Sequence, residues 1–71
     1  MLINAELGSE KELLDELKKI GDVKECYEVY GVYDIIAKIE SESMEKLKET
    51  TLAKIRRLEN VRSTLTMMII E

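Results

Sequence analysis

Histidine, proline, tryptophan and phenylalanine are all missing from this 71-residue sequence, cysteine occurs once and glycine three times. Each absence closes off a chemistry. Without histidine there is no imidazole to act as a general base beside a nucleophile. Cys26, the lone thiol, can neither close an internal disulfide nor build a structural zinc site. Gly8, Gly21 and Gly31 stand far apart, so no glycine-rich loop cradles a phosphate. The carboxylates lie among lysines at helical spacing, where solvation and pairing explain them. The expectation is a protein that is not an enzyme, with no catalytic residue, no metal and no cofactor. No apolar run approaches the length of a membrane span, and no signal-peptide pattern precedes the first structured segment. A single free cysteine suits a reducing compartment, so the cytoplasm is the expected location.

Charge is what the sequence has in plenty. Charged residues make up 37% of the chain, yet the net charge is −4 and the pI about 4.9. An acidic surface offers no general attraction to phosphates, so no direct nucleic acid partner is expected. Lys54, Arg56, Arg57 and Arg62 read as a solvated helix end with favourable C-terminal charges. The composition also fits a heat-adapted source. A chain this short buries only about 60% of the surface its unfolded form exposes. With disulfide and metal excluded, association between copies is the remaining way to gain stability.

Along the chain, two halves share one grammar. Met1 to Leu7 alternates with a period of two and reads as a strand. Ser9 and Glu12 match a capping box, Leu13, Leu14, Leu17 and Ile20 follow at helical spacing, and Gly21 supplies the stop. Val23 to Tyr30 and Tyr33 to Glu40 read as a hairpin about Gly31-Val32, through a two-residue turn or a slightly longer loop. Ser41 to Leu58 is again helical, with Ser43 as N-cap and a stripe of Met44, Leu47, Thr51, Ile55 and Leu58. Asn60 fits a left-handed cap, and Val61 to Glu71 reads as a long final strand. Residues 1–71 therefore form a single α+β domain of order βαββαβ. Right-handed crossovers pack it as a ferredoxin-like four-stranded antiparallel sheet with two helices on one face.

The distribution of apolar residues exceeds what one covered face requires. Ile3, Ala5, Ile35, Ala37, Ile39, Leu65, Met67 and Ile69 serve the helical face. Leu2, Ile36, Met68 and Ile70 remain for the other, joined by Cys26 and Tyr30 if the hairpin runs without a bulge. A free antiparallel face is normally polar, and a contiguous apolar patch marks an interface. Burying four aliphatics contributes roughly 1.5–3 kcal/mol each. Dimerisation through Leu2, Ile36, Met68 and Ile70 is the expectation.

Two polar clusters follow turns. At Gly31-Val32-Tyr33-Asp34 a carboxylate can accept hydrogen bonds from a ligand's amino group, or can instead fix its own turn. At Ser63-Thr64-Leu65-Thr66 hydroxyls can receive a ligand carboxylate, or the threonines are simply good strand formers.

The segments G-x-Y-D-I-I-A-K at Gly31 to Lys38 and V-R-S-T-x-T at Val61 to Thr66, in this order and at this length, resemble the ligand-sensing (RAM) domain of the Lrp/AsnC transcription regulators. The similarity spans essentially all 71 residues. The resemblance implies homodimers formed through the sheets, a ring of four dimers (an octamer), and a free amino acid as effector between dimers. Carried over by position, the ligand-binding residues are Gly31, Asp34, Ser63, Thr64 and Thr66, with Tyr33 and Tyr30 as walls. Tyr30 departs from the threonine that family members often place before the glycine. The first strand begins at Met1, where full-length regulators have a helix-turn-helix domain. The chain thus resembles a stand-alone RAM protein that modulates an Lrp/AsnC-type regulator through ligand-responsive assembly. A purely structural assembly partner without a small-molecule ligand is the alternative.

Overall fold

The computed structural model describes residues 1–69 of the chain. Its elements are β1 (Leu2–Ala5), α1 (Glu10–Lys18), β2 (Val23–Glu28), β3 (Ile35–Ile39), α2 (Met44–Lys48, continued as a π-helix over Glu49–Ile55) and β4 (Val61–Leu65). The strands form one antiparallel sheet in the order β2-β3-β1-β4. This is the ferredoxin-like βαββαβ arrangement that the two-halves grammar predicts.

Period-two alternation decides what each central strand buries. Ile3 and Ala5 on β1 and Ile35 and Ala37 on β3 point to the helices, and all four are buried. Leu13 and Leu17, one helical turn apart on α1, and Ile55 at the end of α2 complete the core. Each large aliphatic buried this way stabilises the fold by roughly 1.5–3 kcal/mol. No buried side-chain nitrogen or oxygen among the described residues lacks a hydrogen-bond partner.

The helix ends depart from the sequence reading. Ser9 makes no side-chain cap; instead the Gly8 N–H donates to Glu10 Oε1 at 3.0 Å. Gly21 and Asn60 do not take left-handed backbone, for among the described residues positive φ is confined to Gly8 and Gly31. Tight bonds spanning three residues close both helices: Lys19 N–H to the Glu16 carbonyl, Ile20 to Leu17, and Leu58 to Ile55. These satisfy the terminal carbonyls without a glycine cap. Ser43 does act as N-cap, its Oγ accepting from the Lys46 N–H at 3.2 Å.

The second helix widens where threonines replace aliphatics. Thr51 Oγ1 donates to the carbonyls of Leu47 at 3.1 Å and Lys48 at 3.2 Å. A hydroxyl that occupies the carbonyl four residues back competes with the backbone ladder there. The Arg56 N–H reaches the Thr51 carbonyl five residues back, at 3.2 Å, as a π-helix requires. Thr50 and Thr51 are both buried in this wider turn, whereas Met44 at the start of the stripe is exposed. Thr50 Oγ1 donates to Asp22 Oδ2 at 2.6 Å, and Ser41 Oγ donates to the same oxygen at 3.4 Å. The Thr50 hydroxyl holds the Asp22 carboxyl below its usual range; partial desolvation opposes this, and Lys46, Ser41 and Lys54 assist it.

Candidate ligand groove and open sheet face

A β-bulge decides where side chains go at the β4 edge of the sheet. Between β1 and β4 the register runs Leu2 to Leu65, Ile3 to Thr64 and Asn4 to Ser63, then shifts so that Ala5 faces Val61. Arg62 is the extra residue. One inserted residue flips the parity of everything beyond it. Val61 stays packed against the core, but Leu65 pairs with Leu2 and turns to the open face, about half exposed. The sequence reading puts Leu65, Met67 and Ile69 on the helical face, and the bulge overturns that for Leu65. Met67, Met68 and Ile69 follow the end of β4 and are exposed.

On the open face one row crosses the whole sheet: Tyr27 pairs with Ile36, Ile36 with Leu2, and Leu2 with Leu65. Ile36 is 42% exposed and Leu65 45% exposed, so both are apolar and reachable. Leu2 and Ile36 of the expected interface thus lie side by side. Met68 lies beyond the last strand, and Ile70 lies outside the described residues. Cys26 is not part of this row, because it pairs with Ala37 and packs against the core. Burial pushes the Cys26 thiol up from its ordinary value, opposed by Lys18. Beside the row, the Tyr27 hydroxyl donates to Glu25 Oε1 at 2.7 Å, which with the Glu25 charge raises the phenol's pKa. Lys38 Nζ lies 3.7 Å from Glu25 and 3.4 Å from Glu40.

The connection from β2 to β3 is longer than a two-residue turn. Six residues, Val29 to Asp34, separate the strands, with Gly31 at φ +142, a conformation that a side chain would strain. Val29 N–H donates to the Asp34 carbonyl at 2.8 Å, and the Asp34 N–H donates to the Ile3 carbonyl at 3.0 Å. Asp34 Oδ2 accepts from the Ala5 N–H at 2.9 Å, at the point where the bulge in β4 shifts the pairing with β1. One carboxylate oxygen therefore anchors the loop to β1.

Next to it lies a groove of about 290 Å³, lined by Asn4, Ala5, Leu7, Glu10, Val32, Asp34 and Arg62. It is formed by the end of β1, the loop into α1, the β2–β3 loop and the bulge of β4. The Glu6 N–H donates to the Asn60 carbonyl at 2.8 Å and ties the first of those loops to the approach of β4. Of the seven ligand-binding residues expected from the sequence, Asp34 lies in this lining. Ser63 adjoins it, its Oγ accepting from Asn4 Nδ2 at 3.1 Å. Thr64 sits opposite Ile3, Thr66 is exposed past the end of β4, and Tyr30 is fully exposed in the loop beside Gly31 and the half-buried Tyr33. Arg62 and Glu10 were not singled out from the sequence as ligand contacts. A bulge leaves no signature in the alternation of so short a strand, and Glu10 looks like any first-turn acid. Among the described residues no helix is long and apolar enough to cross a membrane, and no cluster of three or more acids or thiols could hold a metal.

The comparisons agree with this architecture. The family model for the Lrp/AsnC ligand binding domain matches residues 1–71. No curated protein matches the chain significantly. The crystal structure of FFRP-DM1 is 36% identical, with a TM-score of 0.94 over 97% of this chain and 92% of that one. A hypothetical protein from Pyrococcus horikoshii, PHS023, is 37% identical, with a TM-score of 0.90 over 99% of this chain and 86% of its own. AsnC of E. coli shares the fold at 24% identity and a TM-score of 0.91; this chain covers 48% of that chain. That family is a class of regulatory ligand-binding domains and not of enzymes. With the fold, the sheet order and the whole length in agreement, the chain belongs to the Lrp/AsnC ligand-binding domain family.

Proposed function

We propose that this domain is an amino-acid-responsive assembly module. It dimerises through the open face of its sheet and modulates Lrp/AsnC-type regulators without itself contacting DNA. The observation that carries the ligand half is the β4 bulge, which places Arg62 in the same groove as Asp34. A free amino acid needs an anion receptor and a cation receptor a short distance apart. A guanidinium takes a carboxylate in a bidentate fork, and a carboxylate takes an ammonium. Asp34 has one oxygen committed to the Ala5 N–H, which leaves the other for a ligand. Gly31, Tyr30, Tyr33, Thr64 and Thr66 then belong to the part of the site that a neighbouring copy would close.

Leu7, 98% exposed, and Val32, 86% exposed, flank this groove. Two bare aliphatics on the rim of a charged groove suit a site whose outer wall is another protomer. Ligand and assembly would then be linked, since whatever binds the assembled state stabilises it.

Calorimetry with each of the twenty amino acids tests the proposal. At least one should bind the assembled protein, and both Asp34→Asn and Arg62→Gln should abolish that binding while the oligomer persists. Silence across all twenty removes the sensor half. The row from Tyr27 through Ile36 and Leu2 to Leu65 favours a second reading, a structural assembly partner with no ligand. Light scattering would then find a stable oligomer indifferent to every amino acid.

A further inference from the structure

From the charges lining the groove we infer that its ligand is a basic amino acid, a molecule with one carboxylate and two cationic groups. This rests on the amino-acid reading above and narrows it. The groove presents two carboxylates, Glu10 and Asp34, and one guanidinium, Arg62. No ion pair joins any of these three to another group among the described residues.

Both carboxylates are set in place by backbone. Glu10 Oε1 accepts from the Gly8 N–H at 3.0 Å, and Asp34 Oδ2 accepts from the Ala5 N–H at 2.9 Å. Each is thereby held with its second oxygen uncommitted. Gly8, at φ +82, allows the chain to turn so that its own N–H meets Glu10. Receptors fixed in advance lose little conformational freedom when a ligand arrives.

The count of poles then discriminates. A neutral amino acid satisfies Arg62 with its carboxylate and one acid with its ammonium. The other acid is left without a partner, and the cost of that for a charged group rises once a neighbouring copy covers the groove as proposed above. An acidic side chain adds a second anion beside those carboxylates and is repelled. A lysine or arginine side chain brings the second cation and leaves no pole unmatched. Sites built for a polar group reject analogues that lack it more strongly than apolar pockets reject a change of size.

The experiment is competitive calorimetry on the intact oligomer with lysine, arginine, alanine, methionine, glutamate and cadaverine. Lysine and arginine should bind at least about tenfold more tightly than alanine or methionine, as expected for one further charge-assisted hydrogen bond. Cadaverine, which is lysine without its carboxylate, should lose a similar factor through its missing contact to Arg62. Glu10→Gln keeps the acceptor for the Gly8 N–H but removes the charge, so lysine should lose a partner and alanine its penalty, and the two should bind with similar affinity. Equal binding of alanine and lysine, an undiminished preference in Glu10→Gln, or cadaverine binding as well as lysine would overturn the inference and leave amino-acid sensing standing. Absence of binding by every amino acid would remove the parent reading together with this one.

Discussion

The two faces of this sheet are made by the same strands and differ in what they are prepared to meet. On the covered face Ile3, Ile35, Leu13, Leu17 and Ile55 are fully shielded from solvent. On the open face Tyr27, Ile36, Leu2 and Leu65 form an apolar row that the chain itself leaves half covered, beside the ion pairs of Lys38. A solvated antiparallel face would be polar throughout. The contrast teaches that one face is consumed by folding while the other carries apolar side chains that folding does not use, and the two can be broken separately.

The largest effect belongs to the covered face. Leu17→Ala leaves a cavity under α1 and should cost about 2–5 kcal/mol, much of the stability of a domain this small. Urea unfolding of a variant held at monomeric concentration measures it. A change on the open face should do the opposite: Ile36→Asp should leave the circular dichroism spectrum intact and weaken self-association at least about tenfold, because a charge replaces an aliphatic at the centre of the row. Size-exclusion chromatography with light scattering reads that shift, and an unchanged oligomer would show that copies meet elsewhere.

A smaller effect separates the faces by pH. Asp22, bonded to Thr50 on the helical side, has a folded pKa below its ordinary value of 3.8. The unfolded chain therefore binds this proton more tightly, so the stabilisation is complete above the unfolded pKa and is lost as pH falls through the folded one. Thermal melts should decline more steeply over that acidic window for the natural chain than for Asp22→Asn. Least of all, Lys38→Met, which removes half-exposed ion pairs to Glu25 and Glu40, should change stability by less than about 1 kcal/mol.

Much of this architecture is legible in the residues. Alternation at Ile3-Asn4-Ala5 and at Ile35-Ile36-Ala37-Lys38, against helical spacing at Leu13 and Leu17, is enough to define two βα units and a hairpin, because each periodicity maps onto one face. Ser43 is also legible, since a cap is a local hydrogen bond. The Ser9 cap does not form because Ser9 lacks the extended backbone of an N-cap, at φ −106 and ψ 9, and its own N–H already donates to the Glu6 carbonyl. Asp34 could be marked as a ligand group or as a turn residue, and its bond to the Ala5 N–H spans 29 positions of sequence. No local pattern announces such a contact.

The sequence alone determined the order of elements, the buried set on β1, β3 and α1, and an excess of apolar residues beyond one core. These follow from composition and from periodicities shorter than one element. Tertiary structure decided the rest. The bulge at Arg62 turned Leu65 toward the open face and aimed a guanidinium at the groove, and the widened turn at Thr50 and Thr51 locked α2 to Asp22. Both depend on how one strand or helix meets another, and a missing histidine or a lone cysteine can be counted without knowing that.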